Sequence, residues 1–263
     1  MTWTTQPRFE FGQLAAIQKG EGKAILLLHG VGLRAEAWNG QTSELATNYH
    51  VIAPDMPGHG MSAMLPGNAT LARYTDRIAA ALNDSITSSI VVAGHSMGAM
   101  IALDLACRYP ERVRGVAALN AIYRRSPEAA AAVQKRASSL DGRTVADPSG
   151  PLKRWFQDDE SPEASACLDW LTSVNPGGYK TAYSIFAHSD APPDASLMSL
   201  ACPALFMTGA EEPNSTPAMS EEMAALVPGG RAIVLDGAAH MMPMTHPAAV
   251  NAALTQFIAE CQS

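Results

Sequence analysis

Ser89-Ile90-Val91-Val92-Ala93-Gly94-His95-Ser96-Met97-Gly98 runs from an apolar stretch through a Gly-x-Ser-x-Gly turn into an Ala-rich segment. A strand, a sharp turn and a helix in that order lift a serine hydroxyl above the sheet, where it can act as a nucleophile. Glycine suits both flanking positions because a side chain at either would crowd the strand-to-helix crossing. Five residues alone recur by chance, so the weight of this motif comes from its surroundings.

Those surroundings alternate. Short apolar runs at Ala24–Leu28, Val51–Ala53, Ile90–Ala93, Val113–Leu119, Ala204–Met207 and Ala232–Leu235 read as strands. Helical stretches at Thr70–Ser85, Met97–Tyr109, Pro217–Val227 and Pro247–Cys261 fall between or after them. This alternation predicts an α/β fold with a mostly parallel central sheet flanked by helices. Arg8–Phe11 and Gln13–Gln18, joined across Gly12, read as an antiparallel hairpin at its start. From about Ala121 to Ser199 the rhythm breaks. That segment holds the helical stretch Ala129–Leu140, then Pro148, Pro151, the acidic Asp158-Asp159-Glu160, Asn175-Pro-Gly-Gly and Ala191-Pro-Pro-Asp, with no strand-like run. We read residues 1–120 and 200–263 as the core and 121–199 as an inserted helical lid over the carboxyl ends of the strands, where such sheets bind ligands.

Composition narrows the function classes. The 263 residues are 47% hydrophobic and 16% charged, which suits a packed core and argues against disorder. A net charge of −7 argues against nucleic acid as a partner, since phosphate binding needs a basic face. No run approaches the roughly eighteen apolar residues of a membrane span. Met1-Thr-Trp-Thr-Thr-Gln-Pro-Arg lacks the basic-then-apolar pattern of a signal peptide. Cys107, Cys167, Cys202 and Cys261 are scattered, as expected of small buried thiols in a reducing cytoplasm rather than of a zinc site or disulfide framework. The expectation is a cytoplasmic monomer or homodimer acting on a small molecule, with no metal and no cofactor.

A serine hydroxyl needs a base beside it, and the base needs a third group to orient it. Where a nucleophile sits on this kind of turn the chain order is Ser, acid, His. His240 follows the strand at Ala232–Leu235 through Asp236-Gly-Ala-Ala; its late rival, His246, stands at the start of the last helix. The acid belongs a few residues beyond Ala204–Met207, where the sequence is Thr208-Gly-Ala-Glu-Glu-Pro213. Glu212 holds the place where Asp is commonest, and its neighbour Glu211 is the competitor. An oxyanion hole needs two backbone N–H groups. Met97 supplies one, and Val31, in the loop His29-Gly-Val-Gly32, supplies the other; His29 reads as a loop-shaping residue.

Taken together, His29-Gly-Val-Gly, Trp38, Ala53-Pro-Asp-Met-Pro-Gly-His-Gly-Met-Ser62, Gly94-His-Ser-Met-Gly98, Gly209-x-x-Glu212 and Gly237-Ala-Ala-His240 resemble the α/β-hydrolase superfamily over nearly the whole chain. Within it, the chain is most similar to the group of 3-oxoadipate enol-lactonases, ring-cleavage-product hydrolases and cofactor-free haloperoxidases. The resemblance implies Ser96 as nucleophile, His240 as base, Glu212 as orienting acid, and a structural role for Asp55 and His59. Two departures stand out: Glu replaces Asp at 212, and His95 stands where carbon–carbon hydrolases carry Asn. Serine at 96 excludes dehalogenation, which needs a carboxylate there.

Substrate choice should lie in the lid and loops. Arg124 and Arg125, just past Val113–Leu119, are candidates to clamp a substrate carboxylate, with Arg34 and the lid residues Arg154 and Trp155 behind them. Met241, Met242 and Met244 are candidates to line an apolar pocket. The sequence therefore predicts a serine hydrolase of carboxylic esters, enol-lactones or related acyl compounds. The alternatives are a carbon–carbon hydrolase of a ring-cleavage product and a non-catalytic receptor on the same fold.

Overall fold

The structure, a computed structural model, describes residues 3–157, 159–190 and 192–262. Met1 and Thr2 of the amino-terminal stretch, Asp158 of the acidic run and Ala191 of the Pro-Pro turn lie outside the described residues. Eight strands form one sheet: β1 (Phe9–Phe11), β2 (Leu14–Lys19), β3 (Ala24–Leu28), β4 (His50–Pro54), β5 (Ile90–His95), β6 (Val113–Leu119), β7 (Ala204–Gly209) and β8 (Arg231–Leu235). Their spatial order is β1-β2-β4-β3-β5-β6-β7-β8. β1 and β2 are the expected hairpin, β2 joins β4 antiparallel, and every later pairing is parallel.

The central strands read as unbroken apolar runs because both faces are covered. Leu26, Leu28, Val92, Val116 and Phe206 point to one side, onto Ile78 and Leu82 of one helix and Ile101 and Leu105 of another. Ile25, Leu27, Val91, Ala117 and Leu205 point to the other, onto Trp38, Leu45, Leu254 and Phe257. Leu45 belongs to α1 (Asn39–Leu45), Ile78 and Leu82 to α2 (Leu71–Ser85), and Ile101 and Leu105 to α3 (Met97–Arg108), while Leu254 and Phe257 come from the last helix of the chain.

Between β6 and β7 come α4 (Pro127–Ser139), α5 (Ser149–Phe156), α6 (Pro162–Ser173), α7 (Pro176–His188) and α8 (Asp194–Met198). Pro176, which reads as a break in the sequence, is a helix start, as are Pro127 and Pro162. Ser126, Ser161 and Asn175 each accept a hydrogen bond from the N–H three residues on, at 3.2, 3.2 and 2.9 Å, and proline takes the first helical position. Proline costs nothing there, since that N–H has no partner in the helix. After β7 follow α9 (Pro217–Leu226), α10 (Met242–Thr245) and α11 (Pro247–Glu260). Among the described residues no helix is long and apolar enough to cross a membrane.

Register sets the height of the site. Gly94 is level with Leu28 of β3 and Ala118 of β6, so the loops after these three strands open side by side. Just past the carboxyl end of β4 lies a buried ionic knot. Arg8 bridges Asp55 at 2.8 Å and Glu36 at 2.7 Å, and Asp55 also accepts the N–H groups of Ala35 and Met61, both at 2.9 Å. Removing the cation would strand two carboxylates away from water. We expect Arg8→Met to lower the unfolding free energy by roughly 3–5 kcal/mol in urea titration; a loss below about 1 kcal/mol would show the knot to be dispensable.

Candidate active site

Ser96 sits between β5 and α3 with φ 56° and ψ −120°, a backbone conformation that L-residues rarely adopt. Such a conformation costs on the order of 1–3 kcal/mol and persists only when the surroundings impose it. Here they do. A Cβ at Gly94 would lie 2.1 Å from the Gly98 carbonyl oxygen, and one at Gly98 would lie 2.1 Å from the Leu28 carbonyl oxygen. The crossing is therefore as tight as the two glycines suggest.

Ser96 borders a cavity of about 770 Å³ that His240, Val31 and Asn120 also line. His240 Nδ1 lies 2.6 Å from Glu212 Oε2. A carboxylate only accepts, so Nδ1 carries the proton and Nε2 keeps its lone pair. Burial alone would raise the Glu212 carboxyl. The facing imidazole, its hydrogen bond, and the N–H groups of Asn214 (2.8 Å) and Ser215 (3.4 Å) instead hold it down at about 2. Glu211 is exposed and takes no part in this arrangement.

Three more histidines support the loops. His95 Nε2–H donates to the His240 carbonyl oxygen at 2.8 Å. His29 accepts the Met56 N–H at 2.8 Å through Nε2 and donates from Nδ1 to the Gly30 oxygen at 2.7 Å. His59 Nε2 accepts the Gly32 N–H at 3.1 Å. Gly30 and Gly32 are thus held on either side of Val31, whose N–H, like that of Met97, meets no acceptor among the described residues. Burial pushes His59 and His95 down to about 3, and His29 down as well.

Asn120 went unnoticed in the sequence. Its backbone is left-handed at φ 52°, and its Nδ2 donates to Glu212 Oε2 and Thr208 Oγ1, both at 3.3 Å. It is buried and faces the cavity. The available signal was position: Asn directly follows β6, at the carboxyl end where open α/β sheets hold ligands.

The cation candidates scatter. Arg124 turns away from the cavity, ion-paired with Asp194 and packed on Tyr123. Arg34 also lies off the cavity wall, between Glu36, Thr5 and the Trp170 ring. Arg125 does reach the wall, but its guanidinium is committed to the Ser189 and Phe186 carbonyls (2.8 and 2.9 Å) and to Asp190 (3.0 Å). It ties the end of α7 down. Trp155 lies on the wall and stacks on the His240 ring, with centroids 5.7 Å apart and planes at 16°. Met241, Met242 and Met244 are buried in the packing beneath and line no part of the cavity. Among the described residues no three His, Cys, Asp or Glu side chains gather as a metal-holding group.

Comparison with known proteins gives one family throughout. The sequence profile of the alpha/beta hydrolase family matches residues 25–253. An (E)-2-((N-methylformamido)methylene)succinate hydrolase from Acinetobacter baylyi is 37% identical over 243 residues, 92% of each chain. A thermophilic esterase from Thermogutta terrifontis, solved with malate bound, superposes with a TM-score of 0.85 at 29% identity, covering 95% of this chain and 94% of that one. The enol-lactonase from Burkholderia xenovorans LB400 shares the fold with a TM-score of 0.82 at 22% identity, over 96% and 100% of the two chains.

Neutral buried imidazoles have a thermodynamic signature. Unfolded, His59 and His95 take a proton near 6.5; folded, only near 3. Between those values the unfolded chain binds more protons, so stability falls as pH drops through the window. We expect the thermal midpoint to decline from about pH 6.5 toward pH 3 and His59→Asn to flatten the decline. A midpoint that stays level over this range would mean the rings are charged in the folded state.

Proposed function

This chain belongs to the alpha/beta hydrolase family, and we propose that it is a serine hydrolase working through Ser96, His240 and Glu212. The observation that carries the reading is the 2.6 Å contact between His240 Nδ1 and Glu212 Oε2, which leaves the Nε2 lone pair as base on a ring bordering the same cavity as Ser96. As Ser96 Oγ attacks a substrate carbonyl, His240 takes its proton, and Glu212 stabilises the imidazolium without itself being protonated. The carbonyl oxygen becomes an oxyanion held by the N–H groups of Val31 and Met97, with the amino end of α3 adding its positive dipole. His240 returns the proton to the leaving group. Water then enters, gives up a proton to His240 and frees the acyl group from Ser96.

The substrate class we favour is a small carboxylic ester, enol-lactone or related acyl compound. A second reading is hydrolysis of a dicarboxylate-like ring-cleavage product, including cleavage of a carbon–carbon bond. The Acinetobacter relative favours it, because the succinate in its name is a dicarboxylate. Simple esters, enol-lactones, dienoic keto acids and amidomethylene succinates assayed side by side separate the two.

With 4-nitrophenyl acetate, Ser96→Ala should abolish acyl-enzyme turnover, and Glu212→Gln should lower kcat by on the order of 10³–10⁴-fold by releasing the imidazole tautomer. Glu211→Gln should retain the parent rate. Ser96→Ala protein that hydrolyses the ester as fast as the parent would overturn the proposal.

A further inference from the structure

The cavity is larger than the attack on one carbonyl requires, and its charge is one-sided. The Arg and Lys residues on its wall are Arg125, Lys135, Arg136 and Arg154, and among the described residues no Asp or Glu lines it. Four cations inside a chain of net charge −7 run against the overall balance. Arg125 is committed to the end of α7, as described above.

Arg136 and Arg154 differ from it. They reach the wall from different lid helices, α4 and α5, and converge at Gly150. A Cβ placed on that glycine would lie 3.0 Å from Arg136 Nη1 and 3.6 Å from Arg154 Nη1. Two guanidinium groups brought to one point repel each other unless an anion sits between them. Neither makes an ion pair with a described residue. Arg136 has only marginal partners, the Asp147 carbonyl and the Tyr179 hydroxyl, both at 3.5 Å, and its Nε is buried with none. Its plane lies over the Tyr183 ring at 5.4 Å, and Tyr183 stacks on Tyr179 at 5.9 Å, so the guanidinium is braced by aromatic packing. Two acids, Asp141 and Asp147, line with Arg136 an adjoining pocket of about 280 Å³; Asp141 accepts the N–H groups of Arg143 and Thr144 at 2.7 and 2.9 Å, and Asp147 is bound to Ser149 through both its oxygens, at 2.9 and 2.7 Å. A planar cation held rigid, with an unused donor and a second cation beside it, is arranged for a carboxylate.

We infer that the lid end of the cavity is a carboxylate subsite, in which Arg136 and Arg154 bind an acid group carried by the substrate away from its scissile carbonyl. The inference rests on the serine-hydrolase reading and adds a substrate class to it: acyl compounds with a free carboxylate at the far end. Trp155, stacked on His240, and Tyr179 and Tyr183, beside Arg136, also line the cavity, so its wall offers aromatic faces to the rest of the substrate. Binding energy gathered at the remote carboxylate holds the carbonyl against Ser96.

The test compares 4-nitrophenyl monoesters of glutaric and adipic acid with the neutral 4-nitrophenyl butyrate and hexanoate. The parent protein should prefer an acid monoester, and the readout is the ratio of kcat/KM for charged over neutral ester. Arg136→Gln and Arg154→Gln should each lower that ratio by about 10- to 100-fold, the worth of a charge-assisted hydrogen bond. A ratio unmoved by both variants, or a parent preference for the neutral esters, would overturn the subsite. Should Arg136→Gln fail to fold, the exposed Arg154 supplies the same measurement. Calorimetric titration of glutarate into Ser96→Ala protein reads the subsite without chemistry. There Arg154→Gln should weaken glutarate by about tenfold or more, and equal affinity would count against the inference. Because this binding needs no nucleophile, a failed triad and a failed subsite give different results.

Discussion

A few tenths of a nanometre between Gly94, Gly98 and Leu28 govern everything above the sheet. The carbonyl oxygens of Gly98 and Leu28 occupy the places where side chains would begin, so β5 can pass directly into α3. That closeness forces Ser96 out of ordinary backbone space, and the hydroxyl emerges at the helix's amino end. Met97 N–H, the dipole of α3 and the Ser96 hydroxyl are therefore set by one steric constraint. The remaining groups are brought to Ser96 rather than Ser96 to them.

What they bring is a set of fixed protonation states. His29, His59 and His95 are each confined by burial to the neutral form, and each spends a ring nitrogen on a backbone group of a neighbouring loop. His240 is held by a carboxylate. One residue type thus serves two ends: where the partner is a peptide group the ring is a strut, and where it is an ionised acid the ring can accept a proton. Asn120 adds a donor to the Glu212 oxygen that faces His240, from a position just beyond β6.

Much of this was legible because the constraints are local. The strands of the core are short apolar runs, and periodicity alone places them; Ala24–Leu28 and Val113–Leu119 coincide with β3 and β6. Ser96, Glu212 and His240 stand at fixed distances after strands, so chain order points to them, and the structure puts Glu212 rather than Glu211 beside the imidazole. The lid was less legible. Pro176 looks like an interruption until Asn175 is seen to cap the helix that it begins. Arg124 and Arg125 looked equivalent, but adjacent residues leave a turn in different directions, and tertiary partners decide where each guanidinium ends. Arg136 carried no signal: nothing local distinguishes it from a solvated helix residue, since its convergence with Arg154 arises only when α4 packs beside α5.

The division of labour along the chain has an evolutionary reading. Ser96, Glu212, His240 and Val31 all belong to the segments on either side of the β6–β7 connection, and Asn120 is the first residue of it, while every Arg and Lys on the cavity wall lies deeper within it. The residues around the Ser96–His240 end of the cavity and the cations of its wall are thereby encoded in separate stretches of sequence. Drift or exchange in the inserted helices can therefore change the charge of the chamber wall while Ser96, Glu212, His240 and Val31 stay as they are.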